Sequence, residues 1–286
     1  MNSKYTIKDF NRQYPNDDAC LHEVFLNRYG KLKACPKCTK TTHFYKVKYR
    51  KCYACQFCGF QLHPLANTIF HKSETTLKGW FYAIFLYANS KNGVSAKELE
   101  RQLGVTYKTA WRMAKQIRSL MNEPTRPMEG HLEADETYIG GVRPGKRGRG
   151  AEGKTAVFGI VKRGGKIRAK VIPDCQANTI LPIIFDHAKD GAVINTDESN
   201  SYNQLKDFGY DHKTVKHGEE KYVDGTTHTN TIDGFWAQLK RGLNGTYHSV
   251  SRKYLQLYVD EFAFRYCNRF LKSLFPSLIA KAVMPV

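Results

Sequence analysis

Two cysteine pairs, CPKC (Cys35, Cys38) and CQFC (Cys55, Cys58), constrain this chain more than any other feature. C-x2-C followed by C-x2-C is the spacing of a four-thiolate zinc site built on two knuckles. The surrounding zone is poor in apolar residues, so bound Zn2+ would supply much of its folding energy. Cys52 stands at the same spacing from Cys55, but four ligands saturate tetrahedral zinc and the pair Cys55 and Cys58 is preferred. Cys20, Cys175 and Cys267 are isolated and read as core thiols. Reading the cysteines as ligands requires a reducing compartment. The N-terminus, MNSKYTIKDFNRQ, lacks the apolar core of a signal peptide. The longest apolar run, GWFYAIFLYA from Gly79, is far short of the ~20 residues that span a bilayer. The expected location is therefore intracellular, cytoplasmic and nucleoid-associated, with no membrane partner.

Charge narrows the class of partner. The chain has 286 residues with 45 Lys plus Arg against 26 Asp plus Glu, a formal net charge of +19. Such an excess favours a polyanionic partner, nucleic acid or an anionic membrane surface, with nucleic acid preferred, and speaks to binding rather than to fold. Composition then divides the chain into residues 1–72 (zinc ribbon with an N-terminal segment), 73–125 (helical) and 130–286 (alternating strands and helices), with the Pro- and Gly-containing NEPTRPMEGH as linker. In the helical zone, Ser95 and Glu98 form a capping-box pattern that starts one helix, and Gly104 ends it. Thr106 caps a second helix carrying Lys108, Trp111, Arg112 and Lys115. Helix, glycine turn, helix is the layout of a helix-turn-helix whose second helix enters the major groove, which makes those four residues candidate DNA contacts.

The third zone opens on HLEADETYIGG, an alternating strand with Leu132 and Ala134 on one face and Glu133 and Asp135 on the other. A basic loop, VRPGKRGRGAEGK, follows, and its Lys146, Arg147 and Arg149 are further candidate DNA contacts. The remaining order is a hairpin, a helix, the strand before Asp197 and Glu198, a short helix, a basic strand and helices to the end. This predicts an α/β fold: a mixed sheet flanked by helices, of the RNase H-like type. The last stretch, SLFPSLIAKAVMPV, reads equally as a docking tail or a frayed end.

Asp135 and Asp197 each stand at or near a strand end and are each followed by Glu. If the strands are neighbours, the carboxylates converge and suit Mg2+ or Mn2+, which prefer oxygen ligands and leave room for substrate phosphate. Two such ions ~4 Å apart could serve an in-line phosphoryl displacement. In HTNTIDGFWAQLKRG, Asp233 and Lys240 are seven apart and share a helical face, as do Asn230 and Asp233. Phe235, Trp236 and Leu239 would then face the core. Asp233 would complete the metal site, and Lys240 and Arg241 would grip DNA.

With these blocks in this order, the chain resembles bacterial insertion-sequence transposases that join a zinc ribbon to an ISXO-type DDE domain. The resemblance rests on CPKC, CQFCG, the run from ANTIFHKSETT to WRMAKQIR, DETYIGG, TDESNSY and HTNTIDGFWAQLKRG, from about residue 20 to about residue 270. It implies water-driven cleavage at the element's ends followed by attack of the freed 3′-hydroxyl on double-stranded target DNA. The family's first two aspartates fall on Asp135 and Asp197. Where relatives commonly carry Asn-x-x-Glu, this chain has Asn230 and Asp233, so both are candidates for the third catalytic position; the interval to Lys240 favours Asp233. Joining two ends implies a homodimer or higher oligomer. The alternatives are a catalytically inactive DNA-binding regulator and an RNase H-like nuclease that cuts without joining.

Overall fold

The computed structural model describes residues 5–123, 126–140, 153–215 and 228–285. The chain forms two compact units, residues 1–120 with 270–286, and residues 121–269. Among the described residues no helix is long and apolar enough to cross a membrane.

The first unit begins with helices α1 (Ile7–Gln13) and α2 (Asp17–Tyr29), followed by a three-stranded antiparallel ribbon of β1 (Phe44–Lys46), β2 (Tyr53–Cys55) and β3 (Gln61–Leu62). Helices α3 (Leu77–Asn89), α4 (Ala96–Leu103) and α5 (Tyr107–Ser119) complete it. Asp17 stops being a mere surface acid here: its two carboxylate oxygens accept the Leu77 and Lys78 backbone N–H groups at 3.1 and 2.9 Å and cap α3. Gly104 ends α4 at φ 64°, a left-handed conformation that glycine adopts without strain. Ser95 caps α4 through the Glu98 N–H as expected, but the Glu98 carboxylate turns to Arg101 and Gln102.

Residues 270–286 pack with this N-terminal unit, not with the sheet that precedes them in sequence. Helix α9 (Phe275–Ala282), with Pro276 in its first turn, inserts Phe275 among Tyr5, Phe10, Tyr14, Phe81 and Phe85 at ring separations of 5.2 to 6.4 Å. The terminal stretch is thus a docked helix, with Phe275, Leu278, Ile279 and Ala282 buried.

The second unit is a five-stranded mixed sheet in the order β6-β5-β4-β7-β8. Its strands are β4 (His131–Ile139), β5 (Thr155–Lys162), β6 (Ile167–Ile172), β7 (Val193–Thr196) and β8 (Asp211–Thr214). β4, β5 and β6 run antiparallel as a meander, whereas β7 and β8 join parallel to β4. The crossover to β7 is α6 (Ala177–His187), while α7 (Asn230–Gly242) and α8 (Leu255–Cys267) follow the sheet. The alternation of β4 and β5 decides which helix lies where. Leu132, Ala134, Phe158 and Ile160 pack on Ile180 and Ile184 of α6. Val157 and Val161, on the other face, pack on Ile232, Phe235, Trp236 and Leu239 of α7 and on Val259 and Phe262 of α8. This is the expected RNase H-like architecture. Each large side chain so buried is worth about 1.5–3 kcal/mol.

Glu133 is the exception on the α7 face, a carboxylate with 0% exposure. It accepts the backbone N–H groups of Thr231 (2.8 Å) and Ile232 (3.1 Å) and the Thr231 hydroxyl (2.8 Å), and Arg163 Nε meets it at 2.6 Å. Thr229, which precedes the helix, makes no side-chain cap of its own. The central strand therefore caps α7 from a distance of 98 residues in sequence. Glu133→Gln replaces an acceptor by a donor facing N–H groups and leaves Arg163 without its counter-charge. Thermal or urea unfolding is expected to show a loss of about 3 kcal/mol; an unchanged midpoint would contradict the capping role.

Candidate functional site

The parallel pairing of β4 with β7 runs His131 to Val193, Leu132 to Ile194 and Glu133 to Asn195. Two residues beyond that last pair come Asp135 and Asp197 on neighbouring strands about 4.8 Å apart; Asp197 follows the end of β7 as expected, whereas Asp135 lies in the middle of β4, which runs on to Ile139 against β5. Asn195, itself buried, ties the two strands through its amide to the Leu132 carbonyl at 2.9 Å. The Asp197 carboxylate accepts the Ser199 N–H at 3.0 Å, which fixes the turn that leaves β7.

Asp135 sits where α7 crosses the sheet. Burial, and then the charges of Glu136 and Asp233, push its carboxyl up to about 7 against the opposing bonds from the Glu136 N–H and the Trp236 indole. Trp236 Nε1 donates to Asp135 at 2.9 Å. Room for the indole comes from Gly159, which is paired across the ladder with Asp135. A Cβ at Gly159 would stand 2.7 Å from the Trp236 ring. On the opposite face of β4, the hydroxyl of fully buried Tyr202 donates to Glu136. Burial first, then Glu136, Asp135 and Asp197, hold that hydroxyl well above its ordinary range. Asp135 thus feels the charges of Glu136 and Asp233, and Tyr202 those of Glu136, Asp135 and Asp197.

Asp233 lies in the first turn of α7 and accepts the Thr229 hydroxyl at 3.2 Å. Asn230, Asp233, Lys240 and Arg241 are exposed, whereas Phe235, Trp236 and Leu239 are buried, as the helical spacing predicts. The all-oxygen donor set and the mutual repulsion at Asp135 fit a hard divalent cation. Their convergence is looser than that of the cysteines: among the described residues, Cys35, Cys38, Cys55 and Cys58 are the group of three or more whose ligand atoms lie within 4.8 Å of one another.

That thiol cluster is the geometry expected of a zinc ribbon and could hold zinc. Sγ of Cys35 is 3.6 Å from that of Cys58, and Cys38 is 3.8 Å from Cys55. Burial raises the Cys55 thiol, but hydrogen bonds from Thr42 and the Cys58 and Phe57 amides outweigh it and bring it down to about 6. Cys52 stays outside the cluster, buried with its thiol 3.6 Å from Gln61.

In the helix-turn-helix zone, α5 buries Ala110, Met113, Ala114 and Ile117 and turns Lys108, Arg112 and Lys115 outward. Trp111 is half-buried on the same side, with Lys115 Nζ 5.9 Å from its ring. Lys146, Arg147 and Arg149 lie outside the described residues. The sequence reading left Glu133 and Tyr202 without roles and gave Trp236 to the core alone. The signal for Glu133 was present, since it shares a strand face with Asp135.

Residues 127–267 match the ISXO2-like transposase domain family. An uncharacterised protein in transposable element ISH50 of Halobacterium salinarum is 28% identical over 251 residues, covering 81% of this chain and 84% of that protein. An uncharacterised transposase-like protein of Haemophilus influenzae is 29% identical over 108 residues, covering 38% of this chain and 86% of its own length. Among solved structures, a simian T-cell lymphotropic virus intasome in complex with the PP2A regulatory subunit B56 gamma aligns at 12% identity over 64% of each chain. Its TM-score is 0.30, too low to carry an argument.

The raised Asp135 carboxyl has a consequence for stability. Unfolded, the group titrates near 3.8, and folded near 7, so its ionisation opposes folding progressively as pH rises between the two. Without added divalent cation, Asp135→Asn is expected to melt with the parent protein at pH 4 and above it at pH 8, by up to roughly 4 kcal/mol. Equal midpoints at pH 8 would refute the assignment.

Proposed function

We propose that this chain, whose residues 127–267 match the ISXO2-like transposase domain family, is an insertion-sequence transposase that binds the ends of such an element, cuts them and joins them to target DNA with the help of divalent metal ions. The observation that carries this reading is the parallel register of β4 and β7, which brings Asp135 in the middle of β4 alongside Asp197 just past the end of β7. Asp233 is the third carboxylate, favoured over Asn230 because its charge already reaches Asp135. These three residues would hold Mg2+ or Mn2+. When bound, such ions lower the pKa of an attacking water or 3′-hydroxyl and neutralise the leaving oxygen.

The chain's own groups do the rest. Trp236 orients the Asp135 carboxylate and screens it from bulk water. Glu133 holds the first turn of α7, and with it Asp233, against β4. Lys240 and Arg241, exposed on the last turn of the same helix, contact backbone phosphates of the strand being cut. Lys146, Arg147 and Arg149 add further phosphate contacts. Lys108, Trp111, Arg112 and Lys115 of α5 read the terminal repeats, and the cysteine cluster, loaded with Zn2+, keeps the ribbon folded beside the element's DNA. Joining two ends requires two or more copies of the chain.

The test is purified protein with duplexes carrying the element's ends and Mg2+. Nicking at the terminus and strand-transfer products are expected. Asp135→Asn and Asp197→Asn should each lower both by well over the ~100-fold that loss of a metal's outer-shell partner costs. Asp233→Asn should match them, while Asn230→Ala retains most activity. Full activity in either the 135 or the 197 variant overturns the metal site. Nicking without joining identifies a nuclease, and tight end binding without nicking a DNA-binding regulator.

A further inference from the structure

The tip of the β1–β2 hairpin is built for contact with something outside the chain. Val47 N–H bonds the Cys52 carbonyl at 3.1 Å and Arg50 N–H bonds the Val47 carbonyl at 3.2 Å, closing a tight turn. That turn presents four consecutive exposed residues, Lys48, Tyr49, Arg50 and Lys51. Tyr49 is 91% exposed, the most of any large apolar or aromatic side chain described. Its φ is 63°, a left-handed conformation that Gly or Asn would adopt at less cost. An aromatic ring here stabilises nothing in the fold, and Lys48 Nζ lies 5.0 Å from its centroid.

Behind the tip is a cleft of about 440 Å³ walled on one side by Asp17 and Asp18. Both acids are engaged, Asp17 in capping α3 and Asp18 with Lys46 at 2.7 Å. Lys46, Lys48, Arg50 and Lys51 line the same cleft, so positive charge outnumbers negative there. Three cations and one aromatic in four residues, at the projecting turn of a β-hairpin, match duplex DNA.

We propose that Lys48–Lys51 is a second DNA-contacting element, separate from α5, which enters a groove of duplex DNA with Lys48, Arg50 and Lys51 on the phosphates and Tyr49 against the sugars and base edges. The inference deepens the transposase reading and rests on it.

The experiment uses the full chain, zinc-loaded, on element-end duplexes. Binding is followed by fluorescence anisotropy over a range of salt, and contacts by hydroxyl-radical footprinting. The triple variant Lys48→Ala, Arg50→Ala, Lys51→Ala should lower the slope of log affinity against log salt by about 2 to 3. It should also lose one protected patch and keep the others. Tyr49→Ala should weaken binding about 10-fold. Zinc content and melting midpoint should stay at the parent values. Tyr49→Gly, which relaxes the turn, serves as a second probe should the triple variant lose zinc, and it too should weaken binding. Parent-like affinity, slope and footprint in these variants overturn the hairpin assignment while leaving the transposase reading intact. A parent protein that binds no duplex at all defeats both.

Discussion

A buried carboxylate in the middle of a sheet is costly unless every lone pair is met, and at Glu133 the first turn of α7 and Arg163 meet them. This one interaction links the central strand to a helix that arrives nearly a hundred residues later. The helix axis, and therefore where Asp233 and Trp236 fall, follows from it. Gly159 provides the complementary vacancy, so that the indole can lie flat beside Asp135. Further along α7, Gly242 lets Phe262 of α8 approach so closely that a Cβ there would stand 2.0 Å from the ring. The candidate site is thus assembled by contacts that are structural first, and Asp135 and Asp233 inherit their positions from them.

Charge distribution then makes sense of acids in a protein of net charge +19. Glu133 is neutralised internally and serves the fold. Asp135 is left partly unpaid by its surroundings: burial and like charges raise its proton affinity, and a divalent cation relieves the same strain that a proton does. Among the described residues, Lys108, Arg112 and Lys115 of α5, Lys48, Arg50 and Lys51 of the hairpin tip and Lys240 and Arg241 of α7 are exposed.

Local patterns made much of this legible. The cysteine spacing pointed to Cys35, Cys38, Cys55 and Cys58, with Cys55 and Cys58 preferred over Cys52, and those four thiols cluster while Cys52 stays outside, because such geometry is a local matter of knuckle loops. Alternation along β4 and the 3.6-residue spacing of α7 assigned the right faces to Asp135, Phe235, Leu239 and Lys240. What the sequence concealed were the contacts whose partners are distant in the chain. Glu133 looked like one more acid beside Asp135, since a cap supplied from another element leaves no mark near Thr229. Tyr202, in TDESNSY, gains its place only once β4 and β7 are adjacent. Residues 270–286 follow the sheet in sequence, yet the aromatic cluster around Phe275 belongs to the N-terminal unit. Periodicity shows that a helix has an apolar face and is silent about which core receives it.

The most direct test is to diffuse Mn2+ into crystals of the protein and locate it by anomalous scattering. The account predicts ion density bounded by the carboxylates of Asp135, Asp197 and Asp233, with Glu133 still bonded to Thr231 and Ile232 and outside the coordination sphere. Manganese bound elsewhere, or bound by Glu133 after it has released the helix, would contradict the claim that capping α7 is what builds the site.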